Sequence, residues 1–132
     1  MNNLLVLGSS GLLGSELISG QYLNKYNIVS HSLSAQTDYN LDLQNYDNLV
    51  KMIQEVRPKI IINLVGITDV DRCEKFPNEA YALNVKTIDN LVNAIKNFCP
   101  EAFLIHISTD QVYDTKGSDS EKNVKLSNYY AF

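Results

Sequence analysis

Residues 3–17, "NLLVLGSSGLLGSEL", decide the fold, because an apolar run breaks onto three glycines at 8, 11 and 14 and then resumes with helical periodicity. The run 3–7 reads as a buried strand. Leu13, Leu17, Ile18 and Tyr22 recur near helical spacing and predict a helix directly after the turn. Working outward, "YNIVSHSL" (26–33) is a second strand. "NYDNLVKMIQEV" puts Tyr46, Leu49, Val50, Ile53 and Val56 on one helical face, with Asp42 or Asn45 available as its cap. Pro58 ends that helix at Arg57, since proline disfavours the helical conformation in the residue before it. "KIIINLVG" is a continuous apolar run, as in a strand covered on both faces. Residues 77–98 predict one long helix with Ala80, Leu83, Ile88, Leu91, Val92 and Ile95 inward, and "AFLIHIS" a further buried strand. Four strands alternating with three helices predict an α/β, Rossmann-like, doubly wound parallel sheet in a three-layer α/β/α arrangement.

Composition narrows the functional classes. The chain has 132 residues, 45% hydrophobic and 20% charged, which suits one globular domain and leaves no room for a second lobe. A net charge of −4 with interspersed signs argues against nucleic acid as a partner. No apolar run approaches the roughly 18 residues of a membrane span, and no signal-peptide pattern opens the chain, so a cytoplasmic location is expected. Cys73 and Cys99 lack metal-site spacing; no metal is expected. The polar stretch from Asp114 to Asn128 is expected to be a mobile surface loop.

In an open α/β sheet ligands collect at the carboxyl ends of the strands. Four strand ends carry suggestive residues: Gly8–Gly14, Ser32–Asp42, Asn63–Asp71 and Ser108–Tyr113. The first is G-x-x-G-x-x-G. Its first glycine permits the turn, its second a close approach by a pyrophosphate, and its third helix-on-strand packing, while the helix N-terminus offers free N–H groups. Gly8, Ser10, Gly11, Leu12, Leu13 and Gly14 are therefore candidate cofactor residues. At the second strand end an acid would suit NAD and an arginine NADP; His31, Ser32 and Ser34 provide neither, so the choice stays open. Asp42, beside Leu43, is placed to accept from an adenine amine, or else to cap a helix.

"GSSGLLG", "LDL", "IINLVGITDVDRCEKFPNEAYALN", "ISTDQVYD" and a tyrosine near residue 130 together resemble the extended short-chain dehydrogenase/reductases. The chain is most similar to the branch of dTDP-4-dehydrorhamnose reductase and related sugar-nucleotide enzymes. The resemblance covers essentially all 132 residues. It implies NADP or NAD as cofactor and a nucleotide-linked keto sugar as substrate. It also implies Thr109 as the hydroxyl that orients the substrate oxygen and Tyr130 as the proton donor, with Tyr129 the alternative. By the same resemblance Leu64, Val65, Gly66 and Ser108 line the cofactor, and Thr68, Asp69 and Asp110 face the substrate. Asn84 is expected to tie helix to strand. Asp71 and Glu74 are expected to be structural or solvated rather than catalytic, and His106 inert within its strand.

The family lysine of Tyr-x-x-x-Lys falls at position 134, outside these 132 residues, and Lys122 and Lys125 are no obvious substitutes. The expectation is a dinucleotide-binding domain, incomplete on its C-terminal side, without the substrate lobe, inactive by itself and inclined to self-associate along an uncovered sheet edge. The rival readings are a non-catalytic NAD(P)-binding or regulatory module and a fragment of a sugar-nucleotide epimerase. Asp110-Gln111 disfavours dehydration, because an amide cannot replace the carboxyl group that removes water.

Overall fold

The computed structural model describes residues 1–113, 126 and 128–131. The elements in chain order are β1 (Asn2–Leu7), α1 (Leu12–Ser19), β2 (Tyr26–Ser32), β3 (Tyr39–Asn40), α2 (Tyr46–Val56), β4 (Ile60–Asn63), α3 (Val70–Lys75), α4 (Pro77–Tyr81), α5 (Thr87–Phe98) and β5 (Phe103–His106). The strands are all parallel, in the order β3-β2-β1-β4-β5. β1 is central, and Leu4 to Leu7 are buried on both its faces. On one face Leu5, Leu7 and Ile61 pack with Leu49, Met52 and Ile53 of α2 and with Leu91 and Ala94 of α5. On the other, Leu4, Val6 and Ile62 meet Leu17 of α1. The three-layer doubly wound architecture expected from the sequence is the one observed. Its strand order reverses between β1 and β4, which makes their carboxyl ends the switch point where such sheets bind ligands.

Local chemistry sets the helix boundaries. Asn45, not Asp42, caps α2: its side chain accepts from the Asn48 N–H at 3.1 Å. Asp42 instead turns the chain just upstream, accepting from the Gln44 N–H at 2.9 Å. Arg57 ends α2 at φ 46°, in the left-handed region, with Pro58 behind it.

Four expectations need correction. A fifth strand, β3, adds to the four read from the sequence; it is two residues long and pairs with His31 and Ser32. Residues 77–98 are not one α-helix, because Ala82–Lys86 form a π-helical turn between α4 and α5. The first helix is shorter than the periodicity through Tyr22 predicts: α1 ends at Ser19, Tyr22 lies in a 3₁₀ turn after it, and both Leu13 and Tyr22 are exposed. β5 is not covered on both faces: Phe103 is 67% exposed and Ile105 38%, while Leu104 alone turns into the α2/α5 core. The stretch expected to be a loop, Asp114–Asn128, lies outside the described residues except for Leu126 and Asn128, as do Lys122 and Lys125. No helix among the described residues is long and apolar enough to cross a membrane.

Candidate functional site

The glycines at the end of β1 divide the work among them. Gly8 has φ +78°, and a Cβ there would lie 3.1 Å from the Leu64 carbonyl carbon and 3.2 Å from Val65, so the turn and the contact with the loop after β4 both require glycine. A Cβ on Gly14 would come within 2.6 Å of the Gly8 oxygen, so Gly14 lets α1 seat on the turn. Gly11 is different. A Cβ there meets nothing closer than the Gly8 oxygen at 3.4 Å, an ordinary contact, so the fold itself does not require a glycine. Gly11 is exposed at the start of α1, where no side chain caps the first-turn N–H groups. A small residue beside uncapped, positively polarised donors fits an anionic ligand lying close to the backbone. The turn is anchored to β2, where the His31 carbonyl accepts from Gly8 N, Ser9 N and the Ser9 hydroxyl at 2.9–3.0 Å.

Two cavities open along the carboxyl edge of the sheet and share Leu64, Val65 and Gly66 as a common wall. The smaller, of about 260 Å³, lies over β1 and β2 and is lined by Gly8, Ser10, Gly11, Ser32, Asp42 and Leu43, with His31, Leu33, Ser34 and Leu41 among its other walls. Ser32 is buried, and its hydroxyl is engaged by the Ala35 backbone at 2.9 Å. Among the described residues Asp42 is the only acidic one lining this cavity, and no lysine or arginine lines it. The His31 ring is buried. Its Nε2 lies 2.9 Å from the Leu41 oxygen, which can only accept, so Nε2 carries the proton and Nδ1 is left as a buried acceptor without a partner among the described residues. Burial holds the His31 pKa below its ordinary value, opposed by the Leu41 carbonyl and the charge of Asp42.

The larger cavity, of about 550 Å³, extends over β4 and β5. Leu13 and Thr68 line it, together with Ser108, Thr109, Tyr129 and Tyr130. Both candidate tyrosines are thus present, with Tyr130 packed against the small cluster of Ile67, Cys73 and Ala80 and Tyr129 more exposed. Thr109 accepts from the Gln111 N–H at 3.2 Å, so its own hydroxyl hydrogen is available to another acceptor. Asn84, in the π-helical turn, accepts from Ile67 N at 2.7 Å and donates to Ile67 O at 3.0 Å, the tie expected of it. Glu74 is structural in the same sense: it accepts from the Tyr129 N–H at 2.7 Å and fixes the last described turn.

Some candidates fall outside both cavities. Leu12 is 89% exposed and lines neither, nor does Gly14. Asp69 is absent from the lining, and its carboxylate caps α3 by accepting from Arg72 N at 2.9 Å. Asp110 is exposed at the start of a 3₁₀ turn and also does not line the cavity. His106 corrects the sequence reading in the opposite direction. It is exposed at the end of β5, lines the larger cavity, and receives at Nδ1 a hydrogen bond from Asn63 Nδ2 at 3.1 Å. Burial lowers its pKa as well. No group of His, Cys, Asp and Glu that could hold a metal occurs among the described residues.

The family model of the RmlD substrate binding domain matches residues 1–129. The chain belongs to that family. Among curated relatives of this RmlD-family chain, the dTDP-4-dehydrorhamnose reductase of Escherichia coli is 30% identical over 115 residues, which are 87% of this chain and 37% of that protein. Among solved structures, a hypothetical dTDP-4-dehydrorhamnose reductase from Sulfolobus tokodaii matches with a TM-score of 0.85 at 34% identity, covering 99% of this chain and 48% of the other. The dTDP-4-dehydrorhamnose reductase of Bacillus anthracis, solved in complex with NADP, matches with a TM-score of 0.84 at 29% identity, covering 99% and 46%. The RmlD-family chain therefore spans less than half the length of these relatives.

Proposed function

We propose that the chain is the dinucleotide-binding part of an NAD(P)-dependent reductase of a nucleotide-linked keto sugar. The observation that carries this reading is the pair of cavities joined at Leu64–Gly66 across the switch point, with Gly11, a glycine the fold does not need, at the uncapped start of α1. The NADP complex of the Bacillus anthracis relative supports it. Gly8, Ser10 and Gly11 would hold the pyrophosphate, Asp42 and Leu43 the adenine, and Leu64–Gly66 the passage to the nicotinamide, which when bound supplies or accepts hydride.

In the larger cavity the chain's own residues divide the remaining work. Thr109, its oxygen already engaged by Gln111 N, directs its hydroxyl hydrogen at a substrate oxygen, and Tyr130 supplies the proton that accompanies reduction. Asp69 and Asp110 drop out of the substrate contacts, since neither lines the cavity, while Thr68 and Ser108 stay. Among the described residues no lysine or arginine lines the cavity to make the tyrosine more acidic, and on this reading those residues bind dinucleotide without turning over a keto sugar.

With Ser32 committed to its turn and no cation lining the smaller cavity, the described residues at the end of β2 offer neither the acid nor the arginine that usually chooses between NAD and NADP. NADH and NADPH are both expected to raise the melting temperature, with affinities within roughly tenfold of each other. Absence of a shift with either at millimolar concentration would sink the dinucleotide reading.

A further inference from the structure

Asn63 ends β4 fully buried, with both ends of its amide engaged. Its Oδ1 accepts from the Val65 N–H at 3.2 Å and its Nδ2 points at His106 Nδ1 at 3.1 Å. A backbone N–H can only donate, so Val65 fixes which end of the amide is oxygen. The amide nitrogen must then donate to His106, whose Nδ1 must accept, leaving the ring proton on Nε2 and the ring neutral. Val65 is part of the wall common to the two cavities, and His106 lines the larger one. We propose that the Asn63–His106 pair is a positioning device for the Val65 wall, so that a ligand spanning both cavities binds best while His106 is neutral.

The coupling follows from donor counting. A proton on Nδ1 would set an N–H against the Asn63 NH₂ group. Turning the amide so that its oxygen faces His106 would relieve this, but the Val65 N–H would then face an NH₂ group where it had an acceptor, with the Asn63 side chain fully buried. No described residue lining the cavity offsets the added charge. Among the described residues, the titratable groups lining the cavity with His106 are Tyr81, Tyr129 and Tyr130, and no Asp, Glu, Lys or Arg. Burial of the ring opposes protonation.

The ligand half of this inference rests on the dinucleotide reading above, and the wall half does not. The test is a pH titration of the isotopically labelled full chain by NMR, following the His106 ring nitrogens and the Val65 amide, with NADH affinity measured over the same range. NADH is the probe because it lacks a titrating 2′-phosphate. Expected are the Nε2–H tautomer at neutral pH, a His106 midpoint below 6.5, and a Val65 amide resonance that moves with that midpoint. NADH affinity should fall roughly threefold or more across it on acidification. In His106→Gln, whose amide oxygen can accept from Asn63 but cannot take up a proton, that step disappears from both the Val65 amide and the affinity. Any step due to His31 remains. A Val65 amide that ignores the His106 titration, an Nδ1–H tautomer, or a step that survives His106→Gln overturns the proposal, even with NADH binding intact. NADH that binds at no pH overturns the dinucleotide reading and the ligand half with it, while the Val65 amide still decides the wall half.

Discussion

The smaller cavity is framed by residues 8–11, 31–34 and 41–43, and its frame is largely backbone: β1 pairs with β2, and three donors from Gly8 and Ser9 converge on one carbonyl. The larger cavity draws on residues from 13 to 131 and is held by side chains, with Asn84 gripping Ile67, Glu74 gripping Tyr129 and Asn63 gripping His106. A site built from backbone is set once its strands pair. A site built from side chains can be changed one bond at a time. The dinucleotide reading needs both kinds, a fixed cradle for the part of the ligand that does not react and an adjustable chamber for the part that does.

Substitutions can separate the two regions. The largest effect is expected from Gly14→Ala, whose added methyl would press on backbone of Gly8 and Ser9; it should cost about 1–3 kcal/mol of stability by chemical denaturation and weaken binding in both cavities, because α1 itself must move. Asn84→Leu leaves the Ile67 N–H without its acceptor and should cost about 1–2 kcal/mol, yet calorimetry should find AMP binding to the smaller cavity within about twofold of native. Equal loss of AMP binding would mean that the two regions are not separable. Gly11→Ala should change stability by less than about 1 kcal/mol and still weaken NADPH on the order of tenfold, since its methyl has space in the fold and would meet only the ligand.

The smallest effect is electrostatic. His31 and His106 both have folded pKa values below 6.5, so the unfolded chain binds more protons than the folded one between those values and 6.5. Their contribution to stability is complete above pH 6.5 and is lost as pH falls through the window below it. Thermal unfolding across that range should show a melting temperature that declines on acidification, and a decline that begins only in the carboxylate range would contradict both assignments.

Much of this was legible in the sequence where local chemistry is decisive. The break of "NLLVL" onto glycine, the heptad-like face of 46–56 and the run "KIIINLVG" each report a nearest-neighbour property, and β1, α2 and β4 follow from them. The misses have a common physical cause. β3 exists only because Tyr39 and Asn40 lie beside His31 and Ser32, a long-range pairing with no apolar signature. The π-helical turn comes where Asn84 reaches Ile67 and Thr87 donates to the Ala82 carbonyl at 3.2 Å, and "ALNVKT" contains no proline or glycine to announce it. An apolar run such as "AFLIHIS" reports burial propensity without reporting whether a neighbour covers each face, so the exposure of Phe103 and the accessibility of His106 were both hidden. At the candidate site, the glycines, Asp42, Leu64–Gly66 and Thr109 are suggested by motif and resemblance, and all but Gly14 line a cavity. The helix-capping role of Asp69 was not legible, because a carboxylate that caps a helix and one that faces a ligand look alike in sequence.

The central claim is that the two cavities are one site for one extended ligand. Mapping amide chemical shifts of the labelled chain with NADPH and then with AMP tests it most directly. NADPH is predicted to move the amides of Gly8–Gly11, Leu64–Gly66 and Ser108–Thr109 together, with AMP moving the first two groups and leaving Ser108–Thr109 in place. NADPH shifts confined to one cavity, or an identical map for AMP, would contradict it.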